Sequence, residues 1–484
     1  MVEIHQGESL FVALQQKGMK IQADCGGRHH CGKCKIKVEK SSLPYSKKEK
    51  ELLREEEIAQ QIHLACFHES CEQSVWVSIP EKEERFQIEG IHTLKLQPTD
   101  CGYVAGVDIG TTTMVVAIYE GNTGNCVWES RFLNPQRSYG ADVIARIDAC
   151  RTYGVATLQR LVLEAIEAAM IKSSIVIERM CVCGNATMTH IFMGIDPWPI
   201  GQAPYTCPEM NLVEKDSKSL FPQLNSFVVQ ILPPLSAFVG SDIVMGMYAL
   251  QFPKQKTSLL LDLGTNGEMV LYNHKQKHCI ASSSACGPAF EGGQMQCGMG
   301  AVAGAIQKVW FDEKWHWDTI EQKTAIGICG SGYISWITEL LKTGILEAEG
   351  YLNQEAKLND FLYLTQKDIR EFQLAKSAMC AAMQTLLQQE QLHWEEVECI
   401  YLAGGFSSHL AITDGIQLGL FPSSWEKRIE VVGNTAIRGI CQFAITQDKE
   451  SILALQQCQC ITLTQDTRFT DNFMNQMFFK KIEE

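Results

Sequence analysis

The stretches Gly106-Val107-Asp108-Ile109-Gly110-Thr111-Thr112 and Leu260-Leu261-Asp262-Leu263-Gly264-Thr265-Asn266 repeat one pattern within a single chain. In each, an apolar run delivers an Asp to a Gly-Thr turn, and a second apolar run follows, Met114 to Tyr119 and Met269 to Tyr272. Strand, tight turn and strand read as a hairpin whose tip presents backbone N–H groups, hydroxyls and one carboxylate. Glycine admits the close approach of a polyphosphate, threonine adds donors, and the aspartate can hold a hydrated Mg²⁺. One such tip is a weak signal. Two in matching strand contexts point to a duplicated nucleotide clamp, with phosphates held between two lobes.

The chain is 484 residues long, enough for about three domains. Its formal charge of −14 argues against nucleic-acid or anionic-membrane partners, which need clustered Lys and Arg. Basic and acidic residues balance over positions 1–82, so the acidity lies beyond them. Met1 to Leu10 has neither the basic start nor the apolar core of a signal peptide. The apolar stretch Phe227 to Leu250 is interrupted by Pro233, Pro234, Ser236 and Asp242, which argues against a membrane span. A cytoplasmic protein is expected. The 20 cysteines form no short regular framework, which suits a reducing compartment, with most of them acting as small apolar fillers.

Four of those cysteines stand apart. Cys25, Cys31 and Cys34 lie on one glycine-bearing loop, and Cys66 follows in Leu64-Ala65-Cys66. Three ligands on a loop and a distant fourth describe a 2Fe–2S site, with Gly26, Gly27 and Gly32 letting the loop wrap a cluster and aim N–H groups at its sulfurs. Zinc is the competing metal, but structural zinc usually takes paired C-x2-C knuckles. Cys71 competes with Cys66 for the fourth position. Cys66 is favoured because it follows a helical run from about Lys47 to His63, whereas Cys71 precedes a strand, Val75 to Ile79. His29 and His30 read as solvated loop residues. The segment resembles a plant- or adrenodoxin-type ferredoxin domain with one departure: only Val2 to Ile4 precedes the helix Leu10 to Lys17, so the first sheet strand is expected to be missing and an edge left open.

Residues 83–102 are charged, carry Pro98 and lack periodicity, and so read as a linker reaching roughly 65–70 Å when extended. Beyond it come a helix over Leu158 to Ser173, a strand and turn at Cys181-Val182-Cys183-Gly184-Asn185, and the second tip running from Leu259 through Gly267 to Glu268. Gly330-Ser331-Gly332 opens a helix, an anion-binding position. Ile400 to Ala403 is a strand running into Gly404-Gly405-Phe406, suited to close approach of a nucleoside. Cys181 and Cys183 share a strand face and read as packing residues.

The order of these motifs resembles the actin, sugar-kinase and Hsp70 ATPase superfamily. Together with the ferredoxin segment, it resembles one narrower family, the ATP-dependent reductive activators of corrinoid proteins. The fold implied is a mixed α/β and α+β multidomain chain: a truncated β-grasp 2Fe–2S ferredoxin domain over 1–82, the linker 83–102, a first RNase H-like lobe over 103–182, and a large C-terminal ATPase domain over 183–484. The resemblance implies a 2Fe–2S cluster, ATP and Mg²⁺ as cofactors. It implies that the cluster supplies one electron to convert inactive Co(II) corrinoid to Co(I) in a methyltransferase system, with a low-potential electron donor and a homodimeric state. Within the cleft, Asp108 and Asp262 are assigned to Mg²⁺, and Gly110, Thr111, Thr112, Gly264, Thr265, Asn266 and Gly267 to the phosphates. Gly330, Ser331, Gly332, Gly404, Gly405 and Phe406 are assigned to the nucleoside side. Glu268 either orients the hydrolytic water or is a surface carboxylate; Asp242 is either a further acid or a helix N-cap. An ATP-dependent electron-delivering activator of a radical dehydratase is the alternative function.

Overall fold

The protein is described from a computed structural model. It covers the chain except positions 6, 18, 20, 24, 30, 41, 54, 69–73, 81–92, 95–99, 265, 293–294, 405–406, 408–409 and 483–484, and the side chains at 288 and 291. Cys71 and most of the expected linker lie outside the described residues.

The N-terminal domain is a four-stranded sheet with a short helix, Leu10–Gln16, packed beside it. The expected gap at its start takes a specific form. Val2–Ile4 is a strand, and it pairs antiparallel with Val75–Ser78 through Val2↔Val77 and Ile4↔Val75. Its alternation buries Ile4 completely against Leu10, Leu14 and Val75. The helical run expected over Lys47 to His63 breaks into two short helices, Lys47–Leu52 and Glu55–Ala59. Gln61 takes a positive φ of 61° and ends the run. Ile62–Leu64 is then a strand paired with Lys35–Val38, because its apolar residues complete the domain core.

Both lobes follow one strand order. In the first, Tyr103–Ile109, Thr113–Glu120 and Asn125–Leu133 form an antiparallel meander; Arg179–Gly184 lies parallel on the other side of Tyr103–Ile109, with Val228–Ile231 parallel beyond it. In the second, Ser258–Leu263, Gly267–Asn273 and His278–Ser284 form the meander, with Cys399–Ala403 and Ile429–Gly433 parallel on the opposite side. Each meander supplies one Gly-Thr tip, as the sequence repeat requires. The first sheet runs on through Val228–Ile231, so a boundary at 182/183 falls inside it. The stretch Phe227 to Leu250 contributes that strand and the helix Ser241–Ala249, and no described helix is long and apolar enough to cross a membrane.

Helices Ser241–Ala249 and Thr435–Thr446 cross between the lobes within one apolar core that takes residues from both sheets, among them Val104, Val115, Leu260 and Val270. They cross closely: a Cβ on Gly439 would stand 2.0 Å from the Met245 carbonyl oxygen. Both helices start at the cleft. Within the expected linker, Leu94 is buried in this same core and Thr93 bridges to Asn125, so the chain is pinned well before Tyr103.

Candidate active site

The first tip is held from behind. Asn134 Nδ2 donates to the Gly110 carbonyl at 2.9 Å, the Arg146 guanidinium donates to the Thr111 carbonyl, and the Asn134 amide donates to the Thr112 carbonyl at 2.9 Å. In a planar trans peptide the N–H points opposite its C=O. Fixing these three carbonyls therefore turns the N–H groups of Thr111, Thr112 and Thr113 away from the Asn134–Arg146 segment. That segment packs on the face where Val107 and Ile109 are buried, whereas Asp108 points to the opposite face and meets Asn434 across the cleft. The tip's backbone is thus held from the side of this segment in a fixed conformation. Arg146 is fully buried and also donates to the Gly140 carbonyl at 3.1 Å and to Gln136; burial pushes it down to about 9, still cationic at neutral pH. No motif marked Arg146 in the sequence.

Asp108 accepts from Asn434 Nδ2 at 3.2 Å, and the same Asn434 caps the helix Thr435–Thr446 through the Ile437 amide. Asn185 plays a matching part, donating to Thr111 Oγ1 at 2.9 Å while capping Ala186–Met193. Both helix N-termini are thereby aimed at the tip, where a partial positive charge favours phosphate.

In the second tip, Asp262 and Glu268 are register partners across the hairpin, and Ser283, opposite Glu268 on the next strand, donates to it at 3.4 Å. Glu268 is half-buried rather than a surface carboxylate. Asp242 lies in the first turn of Ser241–Ala249, where Gly240 and not Asp242 is the N-cap. Its carboxylate bonds to the adjacent Ile243 amide at 2.9 Å. Burial pushes Asp108 up to about 6, and burial together with Asp108 and Asp262 pushes Asp242 up to about 8. Glu268 is raised well above its usual range by burial and by Asp242 and Asp262. Asp108 and Asp262 thus act on Asp242, and Asp242 and Asp262 on Glu268, so the four carboxylates gather into one oxygen-only donor set. This fits a hard divalent cation such as Mg²⁺, which would relieve that repulsion.

Gly264 donates to the Asn266 carbonyl at 3.0 Å, closing the second tip, and Gly267 begins its outgoing strand. Gly404 takes a φ of +92°, and a Cβ there would stand 2.8 Å from Asp262 Oδ1, so this glycine backs the second tip directly. Gly330, Ser331 and Gly332 do open the helix Gly330–Lys342, but all three are buried; a Cβ on Gly332 would meet the Ile306 carbonyl at 2.2 Å, so that glycine seats the helix on the strand Ala305–Asp312. Thr265, Gly405 and Phe406 lie outside the described residues. Cys181 and Cys183 are fully buried in the interlobe core.

In the N-terminal domain the four thiols fall into two pairs. Cys34 Sγ and Cys66 Sγ are 3.3 Å apart, and Cys31 is hydrogen-bonded to Cys25. Two sulfurs on one tetrahedral iron, each about 2.3 Å away, stand nearly 4 Å from one another. Two such pairs on one loop system therefore fit two irons better than one zinc. Gly26, Gly27 and Gly32 have φ of 60°, 86° and 64°, and a Cβ on Gly27 would meet the Phe11 ring at 2.8 Å. His29 packs against Phe67 with ring centroids 4.9 Å apart. Below Cys66, the buried Glu49 carboxylate accepts from the Leu64 amide at 2.8 Å and meets His68 Nε2 at 3.3 Å. Burial pushes Glu49 up, but bonds from His63, His68 and Leu64 outweigh it and hold the carboxyl down at about 2. The donor set is complete within one chain, unlike a cluster shared between two subunits.

The comparisons with known proteins agree with this anatomy. Residues 1–68 match the 2Fe–2S iron–sulfur cluster binding domain, 103–255 the RACo middle region, and 256–484 the C-terminal domain of RACo, the ASKHA domain. The corrinoid activation enzyme RamQ of Eubacterium limosum is 29% identical over 421 residues, 78% of this chain and 70% of the relative. The Co(II) methylated amine-specific corrinoid protein reductase of Methanosarcina barkeri is 28% identical over 338 residues, and this chain spans 62% of its length. The solved reductive activator for corrinoid, iron–sulfur protein shares the fold with a TM-score of 0.70 at 24% identity, covering 100% of this chain and 97% of that one. With a cluster domain, a middle region and an ASKHA domain in that order, the chain belongs to the RACo family, the ATP-dependent reductive activators of corrinoid proteins.

Proposed function

We propose that the protein delivers one electron to the Co(II) corrinoid of a partner protein in a methyltransferase system, returning it to Co(I), and that ATP drives this delivery. The observation that carries the reading is the union, in one chain, of a four-thiol cluster site with a two-lobed phosphate cleft. A 2Fe–2S cluster held by Cys25, Cys31, Cys34 and Cys66 supplies one-electron transfer at about −400 mV. A Co(I) corrinoid is harder to form than that, so the electron needs help. ATP contributes only what distinguishes two conformations, and the lobes offer such a pair because the tips sit on separate sheets joined by two crossing helices.

The cleft residues divide the work. Asp108 and Asp262 would hold Mg²⁺, and the amides of Thr111, Thr112 and Thr113 receive phosphate oxygens. Glu268, beside Asp262 and bonded to Ser283, orients the attacking water, and the charge of Asp242 raises its pKa. We further propose a low-potential donor for the cluster, a homodimer and a cytoplasmic setting apart from nucleic acid and membranes; the charge of −14 supports the last point. The test is spectroscopic. Reduced protein mixed with its Co(II) corrinoid partner should give the Co(I) spectrum with ATP and little of it without. Equal conversion in both arms contradicts the reading.

A further inference from the structure

We infer that the segment Asn134–Asp148 is a docking surface for the chain's own cluster domain, and that docking there and nucleotide binding at the first tip reinforce one another. The inference rests on the ATP reading of the cleft and adds how the cleft governs the cluster domain.

One short segment makes both sets of contacts. Toward the cluster domain, Gln15 Nε2 donates to the Ser138 carbonyl at 2.7 Å in a buried contact. Arg28 pairs with Asp148 at 3.1 Å. Gly26, next to the cluster ligand Cys25, lies so close to the Tyr139 carbonyl that a Cβ would stand 3.1 Å from its oxygen. The cluster loop itself is therefore what docks. Toward the cleft, Asn134 and Arg146 hold the carbonyls of Gly110, Thr111 and Thr112. Asn134 caps the 3₁₀ turn Pro135–Tyr139, and Arg146 ties the helix Val143–Tyr153 to Gly140 and Gln136. The residues touching the cluster loop and those orienting the phosphate amides thus belong to one hydrogen-bonded unit.

The sign follows from the geometry. In the docked arrangement the segment holds the Gly110, Thr111 and Thr112 carbonyls and so fixes the backbone of the phosphate tip. Docking therefore pre-organises the tip, and by linkage a bound nucleotide must favour docking by the same factor. Beyond the cluster domain, the chain is held to the lobes at Leu94, which is buried in the interlobe core. Loss of the nucleotide weakens the hold on the cluster loop, and rebinding restores it.

The experiment uses the full-length, cluster-loaded protein and a non-hydrolysable ATP analogue with Mg²⁺. Arg28→Asp sets two carboxylates face to face, and Gln15→Glu sets a carboxylate against the Ser138 carbonyl. Each should enlarge the radius of gyration in small-angle scattering and weaken analogue affinity by about fivefold or more. Adding Asp148→Arg to Arg28→Asp should restore both readouts, which a folding defect would not allow, and iron content should stay at the wild-type level throughout. A variant that expands while binding the analogue as tightly as wild type overturns the inference, as does a radius unchanged in every variant. Either result leaves ATP-dependent corrinoid reduction standing, whereas absence of analogue binding in the wild type removes the ATP reading as well.

Discussion

The two Gly-Thr tips arise from the same meander, yet they are equipped for different tasks. Opposite Asp108 in the first hairpin stands Val115, an apolar core residue; opposite Asp262 in the second stands Glu268, with Ser283 beside it. The first tip is braced from behind by Asn134 and Arg146 and tied across the cleft through Asn434. The second closes on itself through Gly264 and Asn266 and carries a second acid. Duplication supplied two grips, and divergence at the cross-strand position gave the second an acid, Glu268, where the first has Val115; on the proposed reading, the first holds and transmits while the second acts on water.

If this division holds, the largest effects come from the two metal-facing aspartates and differ in kind. Asp262→Asn should lower ATP turnover by about 100-fold or more, whereas Asp108→Asn should act mainly through a raised KM for ATP. Steady-state kinetics on both variants decides it, and identical kcat and KM changes would erase the distinction between tips. Glu268→Gln should cost about 100-fold in turnover while leaving analogue affinity within about threefold. An equal loss of affinity would return Glu268 to a structural role.

Smaller effects probe the supports. Arg146→Met leaves the Thr111 and Gly140 carbonyls unmet in the interior, costing about 1–3 kcal/mol of stability in chemical denaturation and weakening nucleotide binding. Gly404→Ala forces a side chain onto a φ of +92° beside Asp262, costing about 1–3 kcal/mol and lowering turnover together. The mildest test is pH. Asp242 has its folded pKa raised to about 8 from 3.8, so its contribution to stability is whole below about pH 4 and is lost as pH rises through 8. Without Mg²⁺, Tm should fall over that window, and Mg²⁺ should flatten the slope. A Tm rising with pH there would contradict the carboxylate crowding.

Much of this comparison was legible in the sequence, because a hairpin is a local object. The Asp-to-Gly-Thr spacing located both tips, and counting symmetrically about the second turn pairs Asp262 with Glu268. Arg146 was not legible: it reaches the tip from a helix distant in sequence, and only the packed structure shows its guanidinium among carbonyls. The N-terminal edge also depended on long-range pairing. With only Val2 to Ile4 ahead of the helix, the first sheet strand is expected to be missing, yet Val2–Ile4 pairs with Val75–Ser78, at the far end of the domain. The helix expected through His63 failed because Ile62–Leu64 gains more by completing the sheet than by extending a charged helix. The linker was overdrawn for a similar reason, since Leu94 carries no pattern of its own and is identified only by the core that buries it.

The central claim is that the cleft and the cluster are separable parts of one ATP-driven electron delivery. The most direct measurement is Co(I) formation on the corrinoid partner, with and without ATP, by wild type, Asp262→Asn and Cys34→Ser, alongside the cluster's EPR signal and analogue binding. Asp262→Asn should keep the EPR signal and lose the ATP-stimulated conversion; Cys34→Ser should keep analogue binding and lose the EPR signal and all conversion. ATP-stimulated Co(I) formation by Cys34→Ser, or ATP-independent formation by wild type, would contradict it.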